Sequence, residues 1–280
     1  TDLTATEKGT TLELTRTYNS KSTYKGWFGY GWGTPFEVRL ESSSDGSIMV
    51  YENGSGAVNR FVPGKISAEG VGKVIDEIVA TIKKSKPMTG ETEKNVRSSL
   101  AKDDQYRHRI AKKYGVVAKH TIGQKLISED FGGQAVEVTA DGYQRKGPNG
   151  LEQYFNKNGV IVKTRNQAGY GLDFSYNKAG EVSKIADTYG NQFQFEWYSG
   201  GTVKSVTSQD KKKAEYAFSN EDLVKVTDAE KITFNYEYDG NHNLTKLVDT
   251  SLKNVKSNAI VVEYDAKTFN STKVINRDGS

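Results

Sequence analysis

The sequence predicts a mainly antiparallel β protein, built from a repeated two-strand unit and carrying an inserted α-helical hairpin. Six aromatic residues recur at intervals of 21, 22, 20, 20 and 26 residues. They are Phe155, Tyr176, Tyr198, Phe218, Tyr238 and Tyr264. A spacing near 20 residues indicates one small structural unit that packs against copies of itself. The 28 glycines, 4 prolines and 16 tyrosines agree with many short strands joined by tight turns.

Residues 1–64 are predicted to form an N-terminal β segment. Residues 10–18 alternate apolar and polar side chains, which is typical of a half-buried strand. The motif 26–33 contains four aromatic residues and four glycines but lacks the Gly-Lys-Ser/Thr ending of a phosphate-binding loop. We therefore expect its aromatic residues to plug the end of a sheet, with ligand binding as the alternative. Asp45-Gly46 and Asn53-Gly54 predict two hairpin turns, because both dipeptides tolerate positive φ.

Residues 65–115 change to helical spacing and are predicted to form the inserted hairpin. Apolar residues at 71, 74, 75, 78 and 82 give the first helix a buried stripe, with Ser67 as a candidate N-cap. The second helix is predicted over Glu91–Tyr114 and is closed by Gly115. Residues 116–280 return to strands, and the repeats begin near residue 150. The extra residues near 251–258 predict a longer connecting loop.

Composition and motifs argue against most kinds of catalytic site. Without cysteine the chain has neither disulfides nor a thiol nucleophile, and His108, His120 and His242 have no metal-ligand spacing. No Gly-x-Ser-x-Gly motif is present. We therefore expect no catalytic, metal or cofactor-binding residues, and no enzyme activity.

Charge and hydropathy also argue against a nucleic-acid partner and against a membrane-spanning segment. The net charge of +4 is too small to indicate a partner, and the basic stretch 107–113 is expected to be a solvated helix end, with phosphate binding as the alternative. We expect no nucleic-acid partner. No apolar run is long enough to span a bilayer.

Lysines recur at matching positions of the repeat. They are Lys163, Lys184, Lys225, Lys246 and Lys273, with Ser205 in the same position of one unit. They are expected to form a solvated sheet face that discourages edge-to-edge association. The alternative is a face that binds an anionic glycan or an acidic cargo. The repeated aromatic residues are likewise expected to pack across strands, with stacking on sugar rings as the alternative.

The repeated phrase Tyr-(Asn/Asp)-x-x-Gly-x-(Leu/Val)-x-Lys resembles the YD repeats of the Rhs family, most clearly at Tyr176-Asn177 and Tyr238-Asp239. Residues 16–22 and 29–32 resemble the segment that opens the shell region of bacterial Rhs proteins. The resemblance covers about residues 10–62 and 135–280. It implies an antiparallel β-strand spiral, here a partial shell, of the type that encloses a toxic C-terminal domain.

Two functions follow as hypotheses. The first is a non-catalytic shell or scaffold of a secreted or cell-surface bacterial protein, whose partners are neighbouring repeats or toxin cargo of the same longer polypeptide. The second is a surface adhesin that binds a cell-envelope glycan through the repeat sheet. A secretion-system component is a further candidate partner. A toxin or enzyme housed in residues 65–130 is a weaker third hypothesis.

Overall fold

The computed structural model describes residues 1–54, 56–63, 68–252, 258–265, 268 and 270–277. The N-terminal strands are β1 (Leu3–Glu7), β2 (Thr10–Leu14), β3 (Thr17–Tyr18), β4 (Lys25–Gly26), β5 (Gly29–Tyr30) and β6 (Trp32–Gly33). They are followed by β7 (Arg39–Ser42), β8 (Ile48–Glu52) and β9 (Ala57–Val62). The helices are α1 (Ala68–Ser85), α2 (Gly90–Lys102) and α3 (Asp104–Lys113).

Strands then continue to the end of the described chain. The first group is β10 (Lys125–Ser128), β11 (Ala135–Val138), β12 (Gly142–Lys146), β13 (Glu152–Asn156), β14 (Ile161–Arg165), β15 (Leu172–Tyr176) and β16 (Val182–Asp187). The second is β17 (Gln192–Trp197), β18 (Val203–Ser208), β19 (Lys213–Ser219), β20 (Asp222–Thr227), β21 (Thr233–Tyr238), β22 (Leu244–Asp249), β23 (Ala259–Tyr264) and β24 (Ser271–Ile275). The predicted fold class, mainly antiparallel β with a helical insertion, is confirmed.

The chain divides into two compact units. The first consists of Thr1–Val38, Tyr51–Ala57 and Lys163–Ser280, and the second of Arg39–Val50 and Val58–Val162. In the first unit, strands β15 to β24 pair antiparallel, each with the next in the chain. In the second unit, β9 to β13 form a shorter run of antiparallel pairs. Hairpin connections explain this order for all these pairs except β9 with β10, because a turn of a few residues can join only antiparallel neighbours. β9 and β10 are joined through the three helices.

The helices of the second unit share one apolar cluster. Its buried members are Ile75, Ile78, Val79, Ile82, Leu100, Ala111 and Val116. The stripe predicted for the first helix supplies three of these seven residues, Ile75, Ile78 and Ile82, and its Val71 and Val74 pack against them, as helical spacing requires. The candidate N-cap Ser67 lies outside the described residues, and so do residues 253–257 of the predicted long loop.

The region predicted as one second helix is divided into two helices at Asp103. This residue has an extended backbone, ends α2 and begins α3, and its carboxylate accepts the backbone N–H of Tyr106 at 2.8 Å. An aspartate that caps the next turn competes with continuing the helix, which explains the break. No helix within the described residues is long and apolar enough to cross a membrane.

Candidate functional site

The repeat turns share one backbone arrangement. At Asn177 the backbone N–H bonds to the carbonyl of Glu181 at 2.8 Å, and the Asn177 carbonyl accepts the N–H of Gly180 at 3.0 Å. The side-chain Oδ1 also accepts the N–H groups of Ala179 and Glu181, at 2.9 and 3.0 Å. An Asn or Asp at this position therefore satisfies turn N–H groups that have no partner in the strands.

Besides a turn that begins at Ser43, the same pair of backbone bonds closes eight described turns of the repeat region. They begin at Asn156, Asn166, Asn177, Asp187, Tyr198, Ser208, Asp228 and Asp239. From Asn156 to Ser208 these positions are 10 or 11 residues apart, so the period near 20 residues contains two turns. Because consecutive strands are antiparallel, successive turns lie at opposite ends of the strands. The Asn or Asp of the repeat phrase is thus a turn residue.

Each repeat aromatic is the last or second-to-last residue of its strand, next to the turn that follows. The strand register shifts by one residue, as in a β-bulge, at Tyr176, Trp197, Phe218, Tyr238 and Tyr264. Phe155 has the equivalent position before Asn156. In the third repeat the structure therefore places Trp197 at the aromatic position that the sequence spacing had given to Tyr198. Tyr198 itself occupies the Asn/Asp position of the turn.

The polar tips of three repeat aromatics bond to the preceding hairpin. Trp197 Nε1 donates to the carbonyl of Val182 at 2.7 Å, Tyr238 Oη to Leu223 at 2.8 Å, and Tyr264 Oη to Leu244 at 3.0 Å. Each acceptor is the first or second residue of the second strand of the preceding hairpin. Tyrosine or tryptophan suits this position because the ring packs while its single donor satisfies a carbonyl.

One face of the sheet carries a second row of aromatic residues, which pair with aliphatic residues across each hairpin. The pairs are Phe174 with Ile185, Phe195 with Val206, Tyr216 with Val226, and Tyr236 with Leu247. We call this side the covered face, because the N-terminal segment 1–38 lies on it. Each of its four aromatic rings is buried.

The N-terminal segment supplies one aromatic partner for each of those rings. Ring centroids are 6.5 Å apart for Phe36 and Phe174, and 5.6 Å for Trp27 and Phe195. They are 4.9 Å apart for Phe28 with Tyr216, and 5.3 Å for Trp32 with Tyr236. These distances and tilted geometries are the favourable ones for aromatic pairs. The aromatic motif 26–33 therefore packs across the face of the sheet, whereas the sequence had suggested that it plugs the end.

The glycines of this motif permit close backbone approach. A Cβ on Gly29, whose φ is +84°, would lie 2.3 Å from the carbonyl oxygen of Glu221. A Cβ on Gly33 would lie 2.2 Å from the carbonyl oxygen of Asn53. Both contacts are far shorter than any real Cβ makes, so glycine is required at both positions.

An ion pair is buried between the N-terminal segment and the covered face. The guanidinium of Arg16 bonds to both carboxylate oxygens of Asp2, and its side chain is 4% exposed. Its Cζ lies 4.6 Å from the ring centroid of Trp32 and 5.5 Å from that of Tyr216. Burial opposes the charged form of Arg16, yet Asp2 raises its pKa above the ordinary value. Sequence analysis did not single out this pair, because Asp2 and Arg16 meet only when β1 and β2 pair.

The Asp2 carboxylate also accepts a hydrogen bond from the repeat sheet. Tyr216 Oη donates to it at 2.9 Å, and burial, followed by the charge of Asp2, raises the pKa of this tyrosine well above its ordinary value. The backbone of Asp2 accepts the N–H of Ala229 at 3.1 Å. The N-terminal hairpin is thus attached to the repeats through charge, hydroxyl and backbone.

The predicted lysines lie on the opposite side of the sheet, which we call the open face. Lys184 precedes Ile185, Lys225 precedes Val226, and the other members of the row alternate in the same way with covered-face residues. Lys163 lies opposite Asp173. Lys246 bonds Glu237 at 2.9 Å, and Lys273 lies 3.9 Å from Glu263. Ser205 donates to Glu196 at 2.7 Å.

The candidate chemical groups of the sequence are dispersed. His108 Nδ1 lies 3.1 Å from Ser43 Oγ, His120 packs edge-on against Tyr143, and His242 Nδ1 lies 2.9 Å from both carboxylate oxygens of Asp222. Burial lowers the pKa of His120. Within the described residues, no group of three or more potential ligand side chains could hold a metal ion.

The basic stretch 107–113 differs from both sequence interpretations at its first residue. The Arg107 side chain is 3% exposed, donates to the carbonyl of Leu100 at 2.7 Å and pairs with Asp104 at 2.5 Å. It therefore joins the ends of α2 and α3 instead of facing solvent or phosphate. Lys112 pairs with Glu41 at 2.9 Å.

Comparison with known proteins gives a family of unknown function and low-identity structural likenesses. The family model described as a domain of unknown function, DUF6531, matches residues 1–61. No curated protein matches the sequence. The structure is similar to a chain of the Photorhabdus luminescens Tc holotoxin pore, with 11% identity and a TM-score of 0.36 over 84% of this chain and 12% of that chain. It is also similar to TcdB2-TccC3, with 10% identity and a TM-score of 0.34 over 81% of this chain and 12% of that one. This chain therefore spans about an eighth of the length of the chains that it matches.

Proposed function

We propose that the chain is a non-catalytic shell or scaffold portion of a bacterial Rhs-type YD-repeat protein, secreted or displayed at the cell surface, and that it encloses or presents a toxin or other cargo. The observation that carries this proposal is the bond that three repeat aromatics, Trp197, Tyr238 and Tyr264, each make to the hairpin before them. A unit that bonds to its predecessor in a constant way can be added repeatedly to extend one wall. The Tyr-Asn and Tyr-Asp phrases that resemble Rhs repeats support the same conclusion.

The non-catalytic part of the proposal is supported by how the polar groups are used. The side-chain oxygens of turn residues such as Asn177 and Asp228 accept backbone N–H groups. Asp2 and Asp222 bond to Arg16 and His242. Groups held in this way stabilise the chain and leave little freedom for proton transfer. Expression of the chain in bacteria should therefore leave growth unaffected, and a growth defect would contradict this part.

Electron microscopy of the full-length protein tests the shell directly. We expect strands β15–β24 to form part of a continuous wall around density from another part of the polypeptide. Limited proteolysis should then find that enclosed part protected. Replacing Trp27 and Trp32 with alanine should loosen the covered face and increase cleavage, whereas Lys184→Gln with Lys225→Gln on the open face should not. A cargo that is cleaved equally in all three proteins would overturn the proposal.

A glycan-binding adhesin is the second candidate, and the exposed lysines 184 and 225 of the open face favour it. The ion pairs of Lys246 and Lys273 reduce the charge available to an anionic glycan. A glycan array probed with the chain and with the Lys184→Gln, Lys225→Gln variant decides between the two functions. Binding that is lost in the variant would support the adhesin, and the absence of binding would exclude it.

A further inference from the structure

The covered face changes character at the last described hairpin. In four successive hairpins an aromatic residue of the first strand pairs with an aliphatic residue of the second, and the aromatic ring is buried. In the fifth hairpin, β23–β24, the equivalent pair is Val262 with Val274. Val262 is half-buried and Val274 is 49% exposed. Valine thus replaces an aromatic ring where the surface is also less covered.

Within the described residues, the aromatic contacts of the N-terminal segment end at the fourth hairpin. Its rings meet Phe174, Phe195, Tyr216 and Tyr236, one in each of the first four hairpins. The described fifth hairpin is approached at its turn end instead, where Ser20 and Lys21 line one cavity together with Thr268 and Asn270. The exposed pair is therefore continuous with an interface that is already formed on the same face.

We propose that Val262 and Val274 form a docking surface for an extended, glycine-flanked segment that presents an aromatic side chain. The chemistry follows from three of the covered hairpins, where Trp27, Phe28 and Trp32 of the glycine-rich motif 26–33 cover the equivalent residues. A ring from the partner would occupy the space where valine stands in for Phe or Tyr. Because burial of an exposed valine and an aromatic ring is favourable, such a segment would gain affinity without any charge.

Glycine is part of the required chemistry. On the covered hairpins the segment approaches the sheet so closely that Gly29 admits no Cβ beside Glu221. A partner that approaches the fifth hairpin in the same way needs small residues beside its aromatic ring. This inference rests on the packing of the repeats and does not depend on the proposed shell or on any cargo.

A peptide copy of residues 24–33 is the probe, because this segment already covers the equivalent surface. Fluorescence anisotropy of the labelled peptide with the whole chain should show saturable binding. Val274→Asn should weaken binding about tenfold, since it places a polar group against the ring. Lys273→Asn is the matched control, because Lys273 is the neighbouring residue on the open face, and it should change binding less than about twofold.

Two further measurements keep the result interpretable. Circular dichroism of both variants shows whether each remains folded, and Val274→Thr, which keeps the shape of valine, should weaken binding less than Val274→Asn. Absence of peptide binding, or equal binding by Val274→Asn and the parent chain, would overturn the proposal. Sedimentation of the chain alone tests a second copy as the occupant. Self-association that Val274→Asn abolishes, without peptide binding, would also contradict it.

Discussion

Asp2 neutralises a charge that the covered face could not otherwise hold. Arg16 lies among four aromatic rings, and its guanidinium bonds to the Asp2 carboxylate. We expect Asp2→Ala to lower the free energy of unfolding by about 3–5 kcal/mol, because it leaves a buried cation without its counter-ion. Urea denaturation followed by tryptophan fluorescence measures this change. The double variant with Arg16→Met removes both charges and should be more stable than Asp2→Ala alone; equal stabilities would show that the charge is not the cause.

Buried tyrosines predict that the fold weakens in alkali. Burial raises the pKa of Tyr18, Tyr176 and Tyr238 above the ordinary value of 10.0. Above about pH 10 the unfolded chain therefore loses these protons while the folded chain keeps them, so the stability present below pH 10 declines as the pH rises toward the folded pKa values. Denaturation midpoints should be constant from pH 8 to about pH 9.5 and fall beyond it. Tyr176→Phe should make the decline shallower, and an unchanged slope would contradict the assignment to this residue.

The hydroxyl of Tyr238 makes two bonds at once. It donates to Leu223 and accepts Trp32 Nε1, both at 2.8 Å. Tyr238→Phe leaves a carbonyl and an indole N–H without that partner, so we expect a loss of about 1–3 kcal/mol in the free energy of unfolding. Tyr198→Phe is the matched control, since Tyr198 is 40% exposed and its hydroxyl makes one bond, to the Tyr216 carbonyl at 3.1 Å. A control that loses as much stability as Tyr238→Phe would remove the special role of the repeat position.

At the scale of the element, the turns differ in how well their residues suit the backbone. The fourth turn residue has positive φ, and it is glycine at 159, 169, 180, 190 and 201 but not in the later turns. Lys211, Lys231 and His242 occupy the equivalent positions with φ of 65°. Non-glycine residues are strained in this region, so the later turns are less favourable than the earlier ones.

Exchanging these residues should therefore change stability in opposite directions. Lys231→Gly should raise the free energy of unfolding by about 0.5–1 kcal/mol, and Gly180→Ala should lower it by about 1 kcal/mol. No atom lies within 4 Å of a Cβ built on Gly180, so backbone strain alone would cause that loss. Thermal denaturation compares both variants with the parent. A gain in Gly180→Ala would contradict the strain argument.

The break at Asp103 is a second property of an element. Asp103→Ala removes the carboxylate that accepts the N–H of Tyr106, and we expect a loss of about 0.5–2 kcal/mol in the free energy of unfolding. Asp103→Asn, which keeps an acceptor at the cap, should lose less. Chemical denaturation followed by circular dichroism at a helix wavelength measures both. Equal losses in the two variants would show that the cap bond is not responsible.

Sequence reasoning finds some features of these elements and misses others for physical reasons. Turn chemistry is local, so Asn177 and Asp239 reveal their turns directly. In the third repeat, a β-bulge places Trp197 and not Tyr198 at the aromatic position. This bulge depends on cross-strand register, and the sequence does not show which of two adjacent aromatic residues takes the position. The partners of Arg16 are up to 220 residues away in the chain and follow no spacing rule.

At the scale of the molecule, the first unit depends on residues that are distant in sequence. Residues 1–38 cover the apolar face formed by β15–β22, and that face would otherwise expose its aromatic row. We expect a chain without residues 1–38 to bind the dye ANS and to aggregate, because an exposed apolar sheet face favours association. Light scattering and dye fluorescence measure this. If the shortened chain stayed monomeric and did not increase ANS fluorescence, residues 1–38 would not be needed to cover this face.

The N-terminal segment that covers the sheet has one aromatic ring for each hairpin that it covers. One ring packs on each of four consecutive hairpins, and along the sheet the rings follow the order Phe36, Trp27, Phe28 and Trp32, which differs from their order in the chain. Duplicating a hairpin within the repeats would therefore leave one aromatic residue of the covered face without a partner ring from the N-terminal segment. The number of hairpins and the number of covering rings in the N-terminal segment must consequently change together. This requirement couples two distant stretches of the chain during evolution.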